Sequence, residues 1–176
     1  MKNIKISDMT LCRNNALSFK ERIEIARLLD RLNVDTIELP QIDNIKSDTL
    51  LIRTISSFVQ SSIISVAAGM TEEGVDFAAE ALSVAKNPRI RVELPVSPVG
   101  MEYTCHKKPA AMLEAIENQI RLCRGCVETV EFCAMDATRS EPEFLANALS
   151  VAVNAGATHI TLCDNAGRML PGEAAE

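Results

Sequence analysis

Short runs of aliphatic and β-branched residues recur along this chain roughly every 30 residues, each separated from the next by a stretch whose apolar residues fall at helical spacing. Parallel strands need crossover connections, usually helices, so this alternation points to a parallel sheet. The first repeat is the most legible. Ile4 and Ile6 mark a short strand, and Ser18 and Glu21 have the spacing of a capping box. Phe19, Ile23, Ala26, Leu29 and Leu32 then predict a helix that ends at Asn33, a residue able to take the left-handed conformation. Residues 36–39 follow as the second strand. In folds of this kind the loops after the strands carry chemistry, which directs attention to residues 8–17.

Further along, residues 47–59 read as a helix with Leu50, Leu51, Ile55 and Phe58 as its apolar set, and residues 63–67 as a strand. Gly69 and Thr71 open a helix that runs to Ala85 and stops at Asn87-Pro88. Residues 90–94 form the fourth strand and residues 95–107 a long loop. Pro109 precedes a helix over residues 112–123 and suits its first turn. Residues 127–133 give the fifth strand. Ser140 and Glu143 predict a second capping box for a helix ending at Gly156, residues 159–163 the sixth strand, and residues 171–176 the start of another helix. No internal repeat and no linker divides the chain, so residues 1–176 are expected to form one domain.

Side-chain parity separates two parallel architectures. Ile90, Val92 and Leu94 alternate with Arg91 and Glu93, Val130 and Phe132 flank Glu131, and Ile160 and Leu162 flank Thr161. A doubly wound sheet has helices on both faces, and burying unpaired charges there costs several kcal/mol each. The expected fold is therefore an α/β partial (β/α) TIM-type barrel of about six β-α units with parallel strands, its charged face lining the mouth. A complete barrel has eight strands. Either this is a fragment of a longer barrel, or its open edges are covered by a partner chain, which predicts a homo-oligomer.

Composition removes several classes of function. A net charge of −6, aromatics at only 3% and no basic cluster beyond His106, Lys107 and Lys108 argue against a nucleic-acid surface. No apolar run approaches the roughly 20 residues of a membrane span, and the polar start lacks a signal-peptide core, so a cytoplasmic protein is expected. The six cysteines are irregularly spaced and read as reduced thiols.

Within that frame, Glu131, Asp136 and Arg139 read either as a carboxylate and cation facing a substrate or as a structural ion pair near the rim. Asp164, Asn165 and Gly167 end the sixth strand at the same face and are also ordinary turn formers. Cys123 and Cys126 have CxxC spacing but no second pair to complete a metal site, and neither His106 nor His159 has a histidine at ligand spacing. No GxGxxG or P-loop pattern occurs.

Five segments in order, ISDMTL at residues 6–11, ERIEIARLLDRLNVDTIEL at 21–39, LPVSPVGMEY at 94–103, VEFCAMDATRSEPEFL at 130–145 and AGATHITLCDNAGRMLP at 155–171, resemble the DRE-TIM metallolyases. This is the HMGL-like family that contains 2-isopropylmalate, homocitrate and citramalate synthases. The resemblance implies a (β/α) barrel that condenses an acyl-CoA with a 2-oxo acid, a divalent metal such as Mg, Mn or Zn holding the oxo acid. It implies catalytic roles for Arg13 and Glu131 and substrate contacts from Ser97, Asp136, Arg139 and Asn165.

The sequence departs from the family where the metal is held. The family's first loop reads roughly TLRDGEQ, with Arg polarising the oxo acid and Asp on the metal. Here Thr10-Leu11 is followed by Cys12, Arg13, Asn14 and Asn15. In one register Arg13 replaces the Asp; in the other Arg13 keeps the Arg role and Asn14 replaces the Asp. Met135 stands for the Glu of EDATR, Asn165 for a Thr and Gly100 for a His, and the HxH ligands are expected beyond Glu176. No metal site is therefore expected in this chain. The leading expectation is a divergent homologue with absent or impaired condensation; the alternatives are part of an enzyme completed by another segment, and a non-catalytic scaffold or regulatory partner.

Overall fold

A computed structural model of the protein describes residues 4–13 and 16–175. Six strands form one parallel sheet in which each pairs with the next in sequence: β1 (Ser7–Asp8), β2 (Thr36–Leu39), β3 (Ile63–Ala67), β4 (Pro88–Pro95), β5 (Val130–Met135) and β6 (His159–Leu162). The order never reverses, as it must in a doubly wound sheet, so the sheet curls one way into a half-barrel. Helices α1 (Thr10–Arg13), α2 (Phe19–Arg31), α3 (Ile45–Phe58), α4 (Glu72–Leu82), α5 (Pro98–Tyr103), α6 (Pro109–Cys126), α7 (Pro142–Ala155) and α8 (Pro171–Ala175) lie between and after the strands.

Register fixes which residues share a face. Ile64 pairs across β3 and β2 with Ile37, Val66 with Ile90, and Ile90, Val92 and Leu94 with Val130, Phe132 and Ala134. These side chains are buried, and the core they belong to includes Ile55 of α3, Val75 and Leu82 of α4, Met112, Ile116 and Ile120 of α6, and Ala148 and Ala152 of α7. The alternate residues, Glu38, Ser65, Arg89, Arg91, Glu93, Glu131 and Thr161, fall on the opposite, concave face. Parity therefore separates an apolar layer under the helices from a polar barrel interior.

Ser18 and Glu21 make both halves of the predicted capping box on α2, and Asn33 ends that helix at φ 57°. Three expectations need correction. The first strand is Ser7–Asp8 rather than Ile4 and Ile6; those two isoleucines are exposed, although the Ile6 backbone bonds to Asp35 and Thr36. The loop over residues 95–107 contains α5, capped by Ser97 with Pro98 in its first turn. Ser140 does not cap α7: its hydroxyl donates to the Val96 carbonyl at 2.8 Å, Pro142 fixes the start of α7 one residue later, and the cap residue is Glu141. Among the described residues no helix is long and apolar enough to cross a membrane.

Candidate functional site

The ends of β4, β5 and β6 bring four of the predicted residues into one network at the barrel rim. Asp136 directly follows β5 with left-handed backbone, φ 60° and ψ 36°, which turns its carboxylate back toward the chain leaving β4. The Ser97 hydroxyl donates to Asp136 Oδ2 at 2.5 Å while accepting from the Gly100 amide at 3.1 Å. Arg139 clamps the same carboxylate, Nε to Oδ1 at 2.7 Å and Nη2 to Oδ2 at 2.7 Å. The Asp136 amide donates to Asn165 Oδ1 at 2.6 Å, and Thr138 Oγ1 to Asp164 Oδ1 at 2.8 Å. Sequence reasoning named Ser97, Asp136, Arg139 and Asn165 separately; the fold ties them together.

The hydrogen bond from Arg139, with help from Ser97, holds the Asp136 carboxyl below its ordinary value despite its burial. An ionised acceptor of this kind is a weak base and a strong positioning group. What it positions is Arg139, whose side chain stays 43% exposed. An open recess of about 510 Å³ beside it is lined by Thr138, Arg139, Arg168, Met169 and Glu173. Two guanidinium groups on one recess suit a carboxylate.

A second network fills the concave face. Arg91, 2% exposed, sends Nε to Glu93 Oε1 at 3.0 Å, Nη1 to the carbonyl and hydroxyl of Ser65 at 3.0 and 3.2 Å, and Nη2 to the Leu39 carbonyl at 3.1 Å. Glu38 Oε2 lies 3.5 Å from the same guanidinium, its other oxygen taking the Ser7 hydroxyl at 2.6 Å. Burial opposes the charge on Arg91, but Glu93 and Glu38 outweigh it and raise the group's pKa. Glu131, second residue of β5, is set apart from the rim cluster. It is paired with Arg89 at 3.2 Å and accepts from Thr161 at 2.5 Å. Sequence reasoning used the charge on Arg91, Glu93 and Glu131 to choose a barrel but missed Arg89 and Glu38 as their partners; the shared parity of Arg89, Arg91 and Glu131 was the signal.

The first loop meets this network through Cys12, whose thiol lies 3.8 Å from Arg91 Nη2 and is raised in pKa by burial. Arg13 closes α1. Its side chain, with Asn14 and Asn15, lies outside the described residues. Asp8, the nearest carboxylate in that loop, accepts from the amide and hydroxyl of Thr10. Among the described residues no three His, Cys, Asp or Glu side chains come together to hold a metal ion. The inner carboxylates are instead seated on arginines, so these residues do not fit the divalent metal implied by the resemblance. Of the CxxC pair, Cys123 is buried with its thiol pushed up to about 12 by burial, while Cys126 is exposed.

A parallel sheet wound in one direction, helices outside and polar residues inside, defines the (β/α) barrel class. The chain belongs to the HMGL-like family, whose family model matches residues 3–176. It is 36% identical over 163 residues to 2-isopropylmalate synthase of Caulobacter vibrioides (strain NA1000 / CB15N), covering 92% of this chain and 31% of that protein. It is 35% identical over 158 residues to the synthase of Aquifex aeolicus, covering 90% of this chain and 30% of that one. The chain thus spans about a third of the length of these relatives. Among solved structures, multifunctional pyruvate carboxylase from Rhizobium etli matches with a TM-score of 0.53 at 14% identity, over 80% of this chain and 13% of that one, a likeness of fold.

Proposed function

We propose that the protein is a divergent 2-isopropylmalate synthase-like barrel that keeps a carboxylate-binding rim for a 2-oxo acid but whose own condensation with an acyl-CoA is absent or severely impaired. The observation that carries this reading is the seating of Arg91 on Glu38 and Glu93, with Cys12 beside it. A metal that polarises an oxo acid needs free anionic ligands, and a guanidinium already satisfies these two. Glu131 is likewise engaged by Arg89 and Thr161, so its role is to hold strands together. At the rim Asp136 and Ser97 orient Arg139, which binds the acid's carboxylate, and Asn165 fixes the Asp136 backbone. Arg13 completes the proposed site from the first loop. The six cysteines stand as free thiols, in keeping with a reducing cytoplasm.

The test is thiol release from acetyl-CoA in the presence of a branched 2-oxo acid, with Mg²⁺, Mn²⁺ or Zn²⁺ added in turn. The expected result is no metal-dependent release; turnover at rates ordinary for enzymes, about 1 per second or faster, overturns the reading. Binding of the oxo acid alone, measured calorimetrically, is expected to persist and to be lost in Arg139→Ala.

A second reading has its own observation. Ile4 and Ile6 beside β1, and Ile160 and Leu162 on β6, are exposed along the two open edges of the sheet. Unpaired edges of this kind take up further strands. We propose that they pair with a second copy of the chain or with a further segment that completes the barrel. Light scattering separates the two: a dimer supports self-pairing, and a concentrated monomer that gains activity when mixed with the remaining strands supports completion.

A further inference from the structure

We propose that the cavity between α5 and the first turns of α6 and α7 is a binding site for a medium-chain aliphatic carboxylate, separate from the rim recess that holds Arg139. The cavity has a volume of about 490 Å³, within the size range of small-molecule sites. Its floor is apolar. Val96, just past β4, and Met101 of α5 are buried, Phe144 of α7 packs half-buried against the core, and Pro98 and Pro109 add apolar wall. None of these side chains carries a nitrogen or oxygen, so the floor suits a hydrocarbon body.

The mouth carries the charge. It is lined by Lys107 and Lys108, which with His106 form the one basic cluster in a chain of net charge −6. The turn that places them is fixed: His106 takes left-handed backbone at φ 50°, and the Lys107 amide donates to the Met101 carbonyl at 3.0 Å. Neither lysine forms an ion pair among the described residues. Two helices also start here. The cap residues Lys108 of α6 and Glu141 of α7 make no side-chain bond to the first-turn amides, so these helix ends add partial positive charge to that of the lysines. Of the two carboxylates at the mouth, Glu141 offsets the dipole of its own helix, which leaves Glu102 against two lysines. An apolar floor under a cationic mouth fits an amphipathic monoanion, its tail on Val96, Met101 and Phe144 and its carboxylate at Lys107 and Lys108. The Ser140 hydroxyl holds the Val96 carbonyl beside the turn that carries Arg139, so the cavity and the rim recess are neighbours, yet they share no lining residue.

Octanoate is the probe, titrated calorimetrically into the full chain, with hexanoate and octanol as controls. One octanoate per chain is expected to bind, with hexanoate weaker by about tenfold for its two lost methylenes. Octanol, which has the tail without the charge, is expected to bind about tenfold more weakly or worse. In NMR spectra of methyl-labelled methionine, the Met101 signal, assigned with Met101→Leu, is expected to shift as octanoate is added. Lys107→Gln/Lys108→Gln is expected to weaken octanoate by about tenfold and to leave octanol unchanged. If that variant loses Tm, Lys108→Glu, a single change at an exposed residue, carries the test and is expected to weaken octanoate by about threefold or more. Octanoate that binds no more tightly than octanol, that leaves the Met101 signal unmoved, or that is indifferent to the lysine variants overturns the proposal. A saturating branched 2-oxo acid is expected to leave octanoate affinity unchanged; displacement would put both ligands in one recess and overturns the separate site. Oxo acid binding is read through Arg139 and octanoate binding through the lysines, so the two proposals fail separately.

Discussion

The rim and the interior of this half-barrel use the same chemistry, arginine on carboxylate, and differ in how much water reaches it. Arg91 is 2% exposed and its donors are taken by Glu38, Glu93, Ser65 and Leu39. Arg139 makes a shorter pair with Asp136, 2.7 Å, yet keeps 43% of its side chain exposed beside a recess. A saturated, desolvated guanidinium is part of the structure, whereas a half-exposed one held by a buried carboxylate is available to a ligand. Truncation should therefore hurt the two sites in different ways.

Arg91→Met should give the largest loss. It leaves the buried Glu38 and the part-exposed Glu93 without a counter-charge, and breaking a buried pair from one side costs about 3–5 kcal/mol. Denaturant unfolding measures it. If Arg91→Met/Glu38→Gln/Glu93→Gln recovers most of the loss, the cost lies in the uncompensated carboxylates; if it recovers none, the interior is held by packing and the contrast with the rim collapses.

Asp136→Asn should come next. Asp136 is buried and accepts charge-assisted bonds from Arg139 and a short bond from Ser97, so removing its charge is expected to cost about 1.5–3 kcal/mol. Its native pKa lies below the unfolded value of 3.8, so its contribution is full above that value and is lost as pH falls through the lower native pKa. Arg139→Ala should cost far less stability, about 0–1 kcal/mol, because the arginine is half-exposed. Its loss should appear in oxo acid binding instead. A large stability loss in Arg139→Ala with unchanged binding would make the rim a second structural network.

The fold was legible because its signals are local. The Ser18–Glu21 box, Asn33, Pro109 and the alternation of Ile90, Val92 and Leu94 with charged residues each act within one element, and each appears in the structure as read. The residues of the rim were legible one at a time through the DATR segment and its neighbours. Their convergence was not, because Ser97, Asp136 and Asn165 meet only once β4, β5 and β6 are in register. Ser140 misled for the opposite reason: its spacing to Glu143 is that of a capping box, but Pro142 and the Val96 carbonyl compete for the same turn and prevail. The seat of Arg91 was least legible, since two of its acceptors are backbone carbonyls and carry no residue type at all.

The smallest effect distinguishes the interior from its own lower edge, where His159 opens β6. Its Nε2 lies 3.1 Å from Arg89 Nη2 and its Nδ1 3.0 Å from Thr158 Oγ1. Arg89 can only donate, so Nε2 accepts and the ring is neutral, its proton on Nδ1. Burial, and then the Arg89 charge, hold the His159 pKa below its ordinary 6.5. The unfolded chain therefore binds more protons in this window, and stability is lost as pH falls from 6.5 through the lower native pKa. His159→Gln can keep an acceptor for Arg89 without titrating, so its stability should change less than that of the native protein between about pH 8 and about pH 5. Burial is only partial, His159 being an exposed residue, so solvent screening keeps the difference small. Denaturant midpoints at the two pH values measure it. An identical slope for both proteins would mean that Arg89 does not use the ring as an acceptor, and that the interior network ends at Glu131.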